Sequence, residues 1–473
     1  MTLTDLRLLP IAILVVIVAF VLPVDRDLWW HLKTGQLIVD QHKFFSTDPF
    51  SWTAVDRTWY LHEWLSEVTL YWVQSNLGFV FDVLIVAGAI MLTLLIVYRL
   101  AIRLSGREGI ALGLVVLSAV LLLGFLKVRP QAFTWPLFAF FVRQLYLSFR
   151  GEKVDLWPLP FLMVLWSNLH LGYLFGLMAM YIWLVSLVAR DGVSDLRPYR
   201  GPALLVLFST LAPAISPIGP RALLTPFAYL GSGNVAVNHI QEWSSPDFHN
   251  SVFAPLMIAI GLLLVVGLPS GRKNIFGVLL CLVVVGMTLV ARRNIALLAN
   301  VLPIVMSESI SQRWPRPIRP PRIGSPPLNW AIAGVTMVAT VAIIIGLGGS
   351  AQTHAEPRAS DIFPSGGVAY VRDHQLGTRM LNTYRWGGYL IYNLYPGTRV
   401  SIDGRSDLYG DDILQRYFDL MALKPGWRDE LARLDPDFIF LPKEEPLSGE
   451  LALDSGWKLA FEGHVEMIFV PAK

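Results

Sequence analysis

The sequence predicts a polytopic α-helical membrane protein with a small α/β domain at its C-terminal end. Hydrophobic residues make up 54% of the 473 residues and charged residues only 15%, against roughly 25% charged residues in soluble proteins. Apolar runs of about the length that crosses a bilayer, roughly 20 residues, recur along the chain. From about residue 350 the composition changes to that of a water-soluble domain. These observations exclude an ordinary soluble protein.

We predict about eleven transmembrane helices from these runs. The first run follows Arg7, and no small-residue cleavage site follows it, so we interpret it as a retained helix rather than a signal peptide. The runs lie at residues 8–24, 82–101, 109–126, 131–149, 156–169, 171–189, 202–218, 253–269, 274–291, 294–308 and 328–348.

The distribution of Lys and Arg indicates which side of the membrane each loop faces. With a cytoplasmic N-terminus, the inner segments hold 16 basic residues and the outer loops hold 9. Because basic residues collect on the cytoplasmic side, this orientation is favoured, and it places the C-terminal domain outside a bacterial inner or plasma membrane. The net charge of +3 has the same explanation, and we find no nucleic-acid motif.

We predict two domains, a helical membrane domain over residues 1–348 and an extracytoplasmic α/β domain over residues 349–473. The first contains an outer segment, residues 25–81, and a Pro- and Arg-rich linker, residues 311–327. Alternating helix and strand patterns in the second indicate a mixed sheet. The predicted strands are 399–403, 437–441 and 465–470, and the predicted helices are 362–374, 386–394, 411–422 and 426–434.

The outer segment carries an unusual density of acids, histidines and tryptophans. Asp27 and His31 are four residues apart on a predicted short helix, so they share one face of it. Asp25 lies two residues earlier, where the chain leaves the membrane. For two acids and a histidine at a membrane exit, a functional site and a set of solvated surface charges are about equally favoured interpretations.

A second helix is predicted from apolar residues at helical spacing after Leu61. We expect it to lie on the membrane surface, with Glu63 and Glu67 facing away from the lipid. His62 and Glu63 do not form a zinc-protease motif, because Ser66 replaces the second histidine of H-E-x-x-H. We therefore assign no metal ligands; the acids are compatible with a divalent metal, but nothing in the sequence requires a metal or another cofactor.

Basic residues also lie at predicted outer helix ends. Ionisable groups there are costly and mark a function or a partner, although an arginine can also extend to the interface for solvation. Arginine suits bidentate phosphate binding, so we expect these residues to bind a phosphate. They are Lys127, Arg129, Arg292 and Arg293.

Three more polar residues lie on the same predicted side. Asn168 and His170 end another helix, where the alternative is a histidine hydrogen-bonded within the bundle. Glu242 stands beside Trp243, a pair that suits either sugar binding or interface anchoring. In the tail, residues 401–412 (SIDGRSDLYGDD) form either a polar cleft or well-satisfied turns.

Together these residues resemble the GT-C superfamily of polytopic glycosyltransferases, which take sugars from polyprenyl-phosphate carriers on the outer membrane face. The resembling features are DRDLWWHL and HEWLSE in the outer segment, RPQAFTW at 129–135, WSNLHLG at 166–172 and the α/β tail. The resemblance implies that an acid of the outer segment, Asp27 or Asp25, is the catalytic base. It also implies inversion at the anomeric carbon.

We therefore predict an inverting glycosyltransferase that moves a sugar from a polyprenyl-phosphate carrier to a lipid, glycan or protein acceptor outside the membrane. The alternatives are a non-catalytic flippase or scaffold of lipid-linked glycan assembly, and another outer-face lipid enzyme such as a glycan ligase or polymerase. A flippase would place polar residues along a mid-membrane pathway, whereas these collect at one face. The predicted substrate-binding residues are His31, His62, Glu63, Lys127, Arg129, Asn168, His170, Glu242, Arg292 and Arg293.

Overall fold

A computed structural model describes residues 2, 4–21, 24–224, 235, 239–315, 325–348 and 362–472. Much of the predicted linker and the first residues of the predicted C-terminal domain therefore lie outside the described residues. The chain forms two compact units. The helical unit comprises Met1–Leu22, Phe81–Leu223 and Glu242–Gly348, and the mixed unit comprises Pro23–Val80, Leu224–Gln241 and Gly349–Lys473. The outer segment thus shares a unit with the C-terminal domain, unlike the division drawn from the sequence.

Each predicted apolar run contains an α-helix. α2 and α3 belong to the outer segment, and the others belong to the helical unit. Among the described residues up to Gly348, the α-helices are α1 (Leu9–Val21), α2 (Leu28–Gln41), α3 (Trp64–Leu77), α4 (Phe79–Ser105), α5 (Glu108–Leu122), α6 (Thr134–Phe149), α7 (Pro158–Leu169), α8 (Tyr173–Asp191), α9 (Arg200–Leu211), α10 (Ala254–Val266), α11 (Ile275–Val290), α12 (Ile295–Arg313) and α13 (Pro326–Gly348).

The protein is an integral membrane protein, but the count of about eleven transmembrane helices is not confirmed. Among the described residues, five helical stretches are long and apolar enough to cross a bilayer, and α7, α10 and α13 contribute shorter apolar helices. The five stretches are Phe79–Ser105, Glu108–Phe125, Tyr173–Asp191, Arg272–Val290 and Arg292–Arg313.

The core of the helical unit is centred on α12. α12 lies in the stretch Arg292–Arg313, and 89% of the 18-residue apolar segment of that stretch is buried. In the corresponding segments of the other four stretches, 39–44% of the residues are buried. α12 packs against α5, α6, α10 and α11, and the Ser118 hydroxyl of α5 donates a hydrogen bond to the Ala299 carbonyl of α12 at 2.7 Å. A helix that is apolar on all sides is expected in such a central position.

The mixed unit is built on a five-stranded sheet with the order β2-β1-β3-β5-β4. β1 runs parallel to β2 and β3, whereas β5 runs antiparallel to β3 and β4. The strands are β1 (Arg379–Asn382), β2 (Arg399–Val400), β3 (Phe438–Pro442), β4 (Trp457–Glu462) and β5 (Glu466–Pro471). The accompanying helices are α14 (Ser365–His374), α15 (Gly387–Leu394), α16 (Ser406–Met421), α17 (Trp427–Leu434) and α18 (Pro446–Leu453).

The predicted mixed sheet and its strands at 437–441 and 465–470 are confirmed. The strand predicted at 399–403 ends at Val400, because the following residues turn into a buried charged group. β1 and β4 were missed. β4, with the sequence WKLAFE, has large apolar residues at every second position and so carried a usable signal, whereas the short β1 carried none.

The outer segment packs into the core of the C-terminal domain. Its residues 50–53 run beside β2, where Trp52 N–H donates to the Val400 carbonyl at 3.1 Å and Val400 N–H donates to the Phe50 carbonyl at 3.2 Å. Trp29, Trp30 and Phe50 belong to the same apolar cluster as the strands. α2 and α3 cross so closely at Gly35 that a Cβ there would lie 2.1 Å from the Glu67 carbonyl oxygen.

Candidate active site

The two candidate bases lie at the N-terminal end of α2. Asp25 is only 7% exposed, and its Oδ1 accepts a hydrogen bond from the Asp27 N–H at 2.9 Å. Asp27 immediately precedes α2 and is half-buried, where the positive end of the helix dipole favours a carboxylate. The carboxylate of Asp27 touches the backbone at Gly404, since a Cβ there would lie 2.1 Å from Asp27 Oδ1. Asp25 therefore supports the turn, and Asp27 presents the more accessible carboxylate.

Behind these acids, the predicted site residues His31, His62 and Glu63 lie together with Glu67. His31 Nδ1 lies 3.1 Å from Glu67 Oε1 and 3.7 Å from Glu63 Oε2. His62 Nε2 lies 3.7 Å from Glu63 Oε1. The helix around Glu67 forms as predicted, but Glu67 is buried in the mixed unit, with 1% of its surface exposed. The sequence did not predict that Glu67 contacts His31, because the two residues are 36 positions apart and no local sequence pattern links them.

The buried Glu67 lacks a full complement of partners. Its Oε2 has no hydrogen-bond partner among the described residues, and burial, followed by the charge of Glu63, raises the pKa of Glu67 well above its ordinary value. Such an acid needs a proton or a cation to compensate its burial. One ligand atom each from His31, Glu63 and Glu67 lies within 4.8 Å of the others, so these three residues could hold a divalent cation.

In the helical unit, the predicted cations gather around Glu242. Arg129 Nη1 lies 3.1 Å and 3.2 Å from the two oxygens of Glu242, and Lys127 Nζ lies 3.4 Å from its Oε1. The Arg293 guanidinium stacks over the Trp243 ring at 4.4 Å. Three cations therefore surround a single carboxylate in this cluster.

Electrostatics in this cluster favour an ionised Glu242. Burial by itself would raise the pKa of Glu242, but the positive charges of Arg129, Lys127 and Arg293 outweigh it and lower the pKa to about 2. Arg292 contributes its backbone, since its N–H donates to the Ser244 carbonyl at 3.0 Å. Glu242 therefore binds the cations of this cluster, and its predicted role in substrate binding stays a prediction.

Asn168 and His170 are held by contacts within the helical unit. The His170 Nδ1 accepts a hydrogen bond from Gly172 N–H at 2.8 Å and lies 2.8 Å from the Thr134 hydroxyl. The amide of Asn168 donates to the carbonyls of Val164 and Ile215 at 2.7 and 3.0 Å. These are the contacts expected of a histidine hydrogen-bonded within the bundle, and the predicted substrate contacts of Asn168 and His170 stay predictions.

The tail segment begins as a turn around a buried ion group and continues into α16. Arg405 donates to both oxygens of Asp403, from Nε at 2.8 Å and from Nη2 at 2.6 Å, and donates from Nη1 to Asp48 Oδ1 at 2.7 Å. The Tyr409 hydroxyl donates to Asp403 at 2.6 Å. Burial would lower the pKa of Arg405, but the charges of Asp403 and Asp48 raise it well above its ordinary value. Of the two alternatives from the sequence, turns are observed over residues 401–405, and the rest of the segment forms the start of α16.

Comparison with known proteins identifies the architecture. Neither a protein-family model nor a curated protein matches the sequence. The crystal structure of ArnT from Cupriavidus metallidurans bound to undecaprenyl phosphate superposes with a TM-score of 0.52 at 13% identity, over 98% of this chain and 97% of that one. The chain has the GT-C fold.

Two other structures with the GT-C fold are less similar. The archaeal oligosaccharyltransferase AglB from Archaeoglobus fulgidus, in complex with an inhibitory peptide and a dolichol-phosphate, has a TM-score of 0.47 at 10% identity, over 93% of this chain and 69% of that one. The mycobacterial arabinofuranosyltransferase AftD has a TM-score of 0.47 at 13% identity, over 99% and 42%. Because both scores are below 0.5, the fold assignment rests on ArnT.

Proposed function

We propose that the protein is an integral membrane glycosyltransferase that moves a sugar from a polyprenyl-phosphate carrier to an acceptor on the extracytoplasmic face. The observation that carries the proposal is the GT-C fold, which matches over nearly the whole length of a structure with bound undecaprenyl phosphate. The acidic outer segment and the cation cluster of the helical unit supply the two kinds of groups that this reaction uses.

Asp27 is the proposed base. It takes the proton of the acceptor hydroxyl while the hydroxyl oxygen bonds to the anomeric carbon. The bond from that carbon to the phosphate oxygen breaks, and its electron pair leaves with the carrier phosphate. A single displacement of this kind inverts the anomeric carbon. Asp27 is favoured over Asp25, because Asp25 is buried and already bonded to the Asp27 backbone.

The proposed phosphate ligands are the cations beside Glu242. Lys127, Arg129 and Arg293 bring three positive charges to a single carboxylate, so the cluster retains positive charge for a phosphate. Cations held in place before the reaction stabilise the charge that develops on the leaving phosphate. Glu242 keeps the cluster folded when no phosphate is bound.

A divalent cation fits the same proposal. His31, Glu63 and Glu67 offer one imidazole and two carboxylates, a donor set suited to Mn²⁺ or Zn²⁺. A cation bound there would supply positive charge to the site, and it would replace the proton that buried Glu67 otherwise needs. His62, which the sequence predicts as a substrate-binding residue, would orient Glu63 through the contact between their side chains.

The test is transfer activity of the purified full-length protein with a panel of undecaprenyl-phosphate monosaccharides and oligosaccharides. We expect Asp27→Asn to reduce kcat by at least about 100-fold, the usual minimum contribution of a general base. Asp25→Asn should retain more activity. Asp40→Asn, at an exposed acid of the same helix, serves as the matched control and should behave as the native protein.

The outcomes separate the competing functions. Full activity in Asp27→Asn and Asp25→Asn would refute the assignment of the base. Transfer from oligosaccharide carriers alone would indicate a glycan ligase or polymerase. Carrier binding without transfer from any donor would favour the flippase or scaffold.

A further inference from the structure

The buried ion group around Arg405 joins two distant parts of the mixed unit. Asp48 lies in the outer segment, whereas Asp403 and Arg405 lie between β2 and α16. The side chain of Arg405 is 1% exposed, and those of Asp48 and Asp403 are fully buried. A guanidinium that binds one carboxylate with two parallel bonds and a second with another has little freedom to rotate.

Aromatic rings of the outer segment enclose the same guanidinium. Its central carbon lies 4.4 Å from the Trp59 ring centre, 5.1 Å from that of Phe50 and 5.9 Å from that of Trp30. Asp48 is itself held by the N–H groups of Phe50 and Ser51 at 3.1 and 2.8 Å. Asp48 is thus fixed by neighbours in its own segment, and Arg405 is fixed by Asp403 and by the rings of the outer segment.

The residue between Asp403 and Arg405 is Gly404, which contacts the proposed base. The Arg405 N–H donates to Asp403 Oδ1 at 3.0 Å and closes the turn around Gly404. The Gly404 carbonyl accepts a hydrogen bond from Tyr384 at 3.2 Å. The backbone that the Asp27 carboxylate contacts is therefore held by this turn and by the Tyr384 hydroxyl.

We propose that Arg405 is a positioning residue for Asp27: by binding Asp48 and Asp403 together, it fixes the Gly404 backbone that sets the orientation of the Asp27 carboxylate. The role in catalysis rests on the function proposed above. The contact between Gly404 and the Asp27 carboxylate does not depend on that function. If the ion group only stabilised the fold, it would not require glycine at position 404. In this structure the Asp27 carboxylate lies so close to Gly404 that there is no space for a methyl group.

Gly404→Ala tests the contact directly, since it adds one methyl group and leaves the ion group intact. We expect kcat to fall at least tenfold, with KM for an undecaprenyl-phosphate sugar within twofold of native and the unfolding temperature nearly unchanged. Gly449→Ala is the control, because a Cβ there meets no atom within 4 Å. Arg405→Lys keeps the charge but loses the planar fork, and it should lower kcat in the same manner.

Hydrogen exchange of the full-length protein provides a readout independent of activity. We expect faster amide exchange in residues 24–32 of Gly404→Ala and Arg405→Lys, with residues 438–442 unaffected. Native kcat in both variants overturns the proposal, and so does native exchange in residues 24–32. If the native protein transfers no sugar, the proposed glycosyltransferase function fails, and the exchange measurement alone decides the positional contact.

Discussion

At the scale of single residues, burial separates the charged groups that stabilise the fold from those that are accessible to a substrate. Asp48 and Arg405 are buried together and fully bonded, whereas Asp27 is half-buried at a helix end. Glu67 is an intermediate case, since it is buried with one oxygen that has no hydrogen-bond partner among the described residues. Their residue types alone do not separate these roles.

Loss of one buried partner should destabilise the mixed unit. Asp48→Ala leaves Arg405 with an uncompensated part of its charge in the core, and we expect a loss of about 3–5 kcal/mol in the free energy of unfolding. Thermal unfolding of the purified protein measures it. Asp412→Ala is the matched control. It breaks a pair with Arg57 whose side chains are 59% and 35% exposed, so its cost should be below about 1 kcal/mol. Equal losses in both would contradict this prediction.

The cluster of His31, Glu63 and Glu67 predicts divalent-cation binding. We expect the purified protein to bind Mn²⁺, and Glu67→Gln to weaken the binding at least tenfold because it removes a charged ligand. Electron paramagnetic resonance of free Mn²⁺ measures the affinity. Glu152→Gln, which alters a pair with Arg103 outside the cluster, should have no effect. Equal Mn²⁺ affinity in native protein and Glu67→Gln would exclude Glu67 as a ligand.

At the scale of elements, short connections at helix ends bring together groups that no single helix carries. Lys127 and Arg129 precede α6, Arg293 lies between α11 and α12, and Glu242 lies before α10. The sequence indicated each cation separately as a helix-end residue. Their convergence on Glu242 depends on how the helices pack, so no local sequence pattern could predict it.

This cluster predicts a defined pH dependence. The pKa of Glu242 is lowered from 4.5 to about 2, so its stabilisation is fully present above pH 4.5 and is lost as the pH falls toward 2. Glu242→Gln should lower the unfolding temperature at pH 6, by an amount equivalent to about 1 kcal/mol or less because the pair is partly solvent-screened. The difference from native should shrink at pH 3.

The control for this pH series is Glu450→Gln, which alters an exposed pair with Arg428. It should unfold as the native protein does at both pH values. A difference between native and Glu242→Gln that is as large at pH 3 as at pH 6 would contradict the lowered pKa.

At the scale of the whole molecule, the distribution of Lys and Arg predicts a cytoplasmic N-terminus and an external C-terminal domain. The single cysteine, Cys281, is buried in α11, which gives low background for labelling. In a Cys281→Ser background, Gly449→Cys should react in intact cells with a membrane-impermeant maleimide. Lys153→Cys, in a predicted cytoplasmic loop, should react only after lysis. The opposite pattern would invert the topology.

The sequence by itself determined the membrane class, the positions of the helices and the identity of the acids and cations. Hydrophobic length and periodicity are local properties, so a short window of residues reveals them. The same argument located most helices of the C-terminal domain and two of its strands. It overestimated the strand after Arg399, because a buried charged group interrupts that strand.

Only the tertiary structure decided which of these groups act together. Asp48 meets Arg405, Gly404 meets Asp27, and Glu67 meets His31 through contacts between residues far apart in the chain. Such contacts depend on the packing of the outer segment into the sheet domain, and no local pattern encodes their partners. For the same reason, the sequence could not show that this segment shares a core with the C-terminal domain.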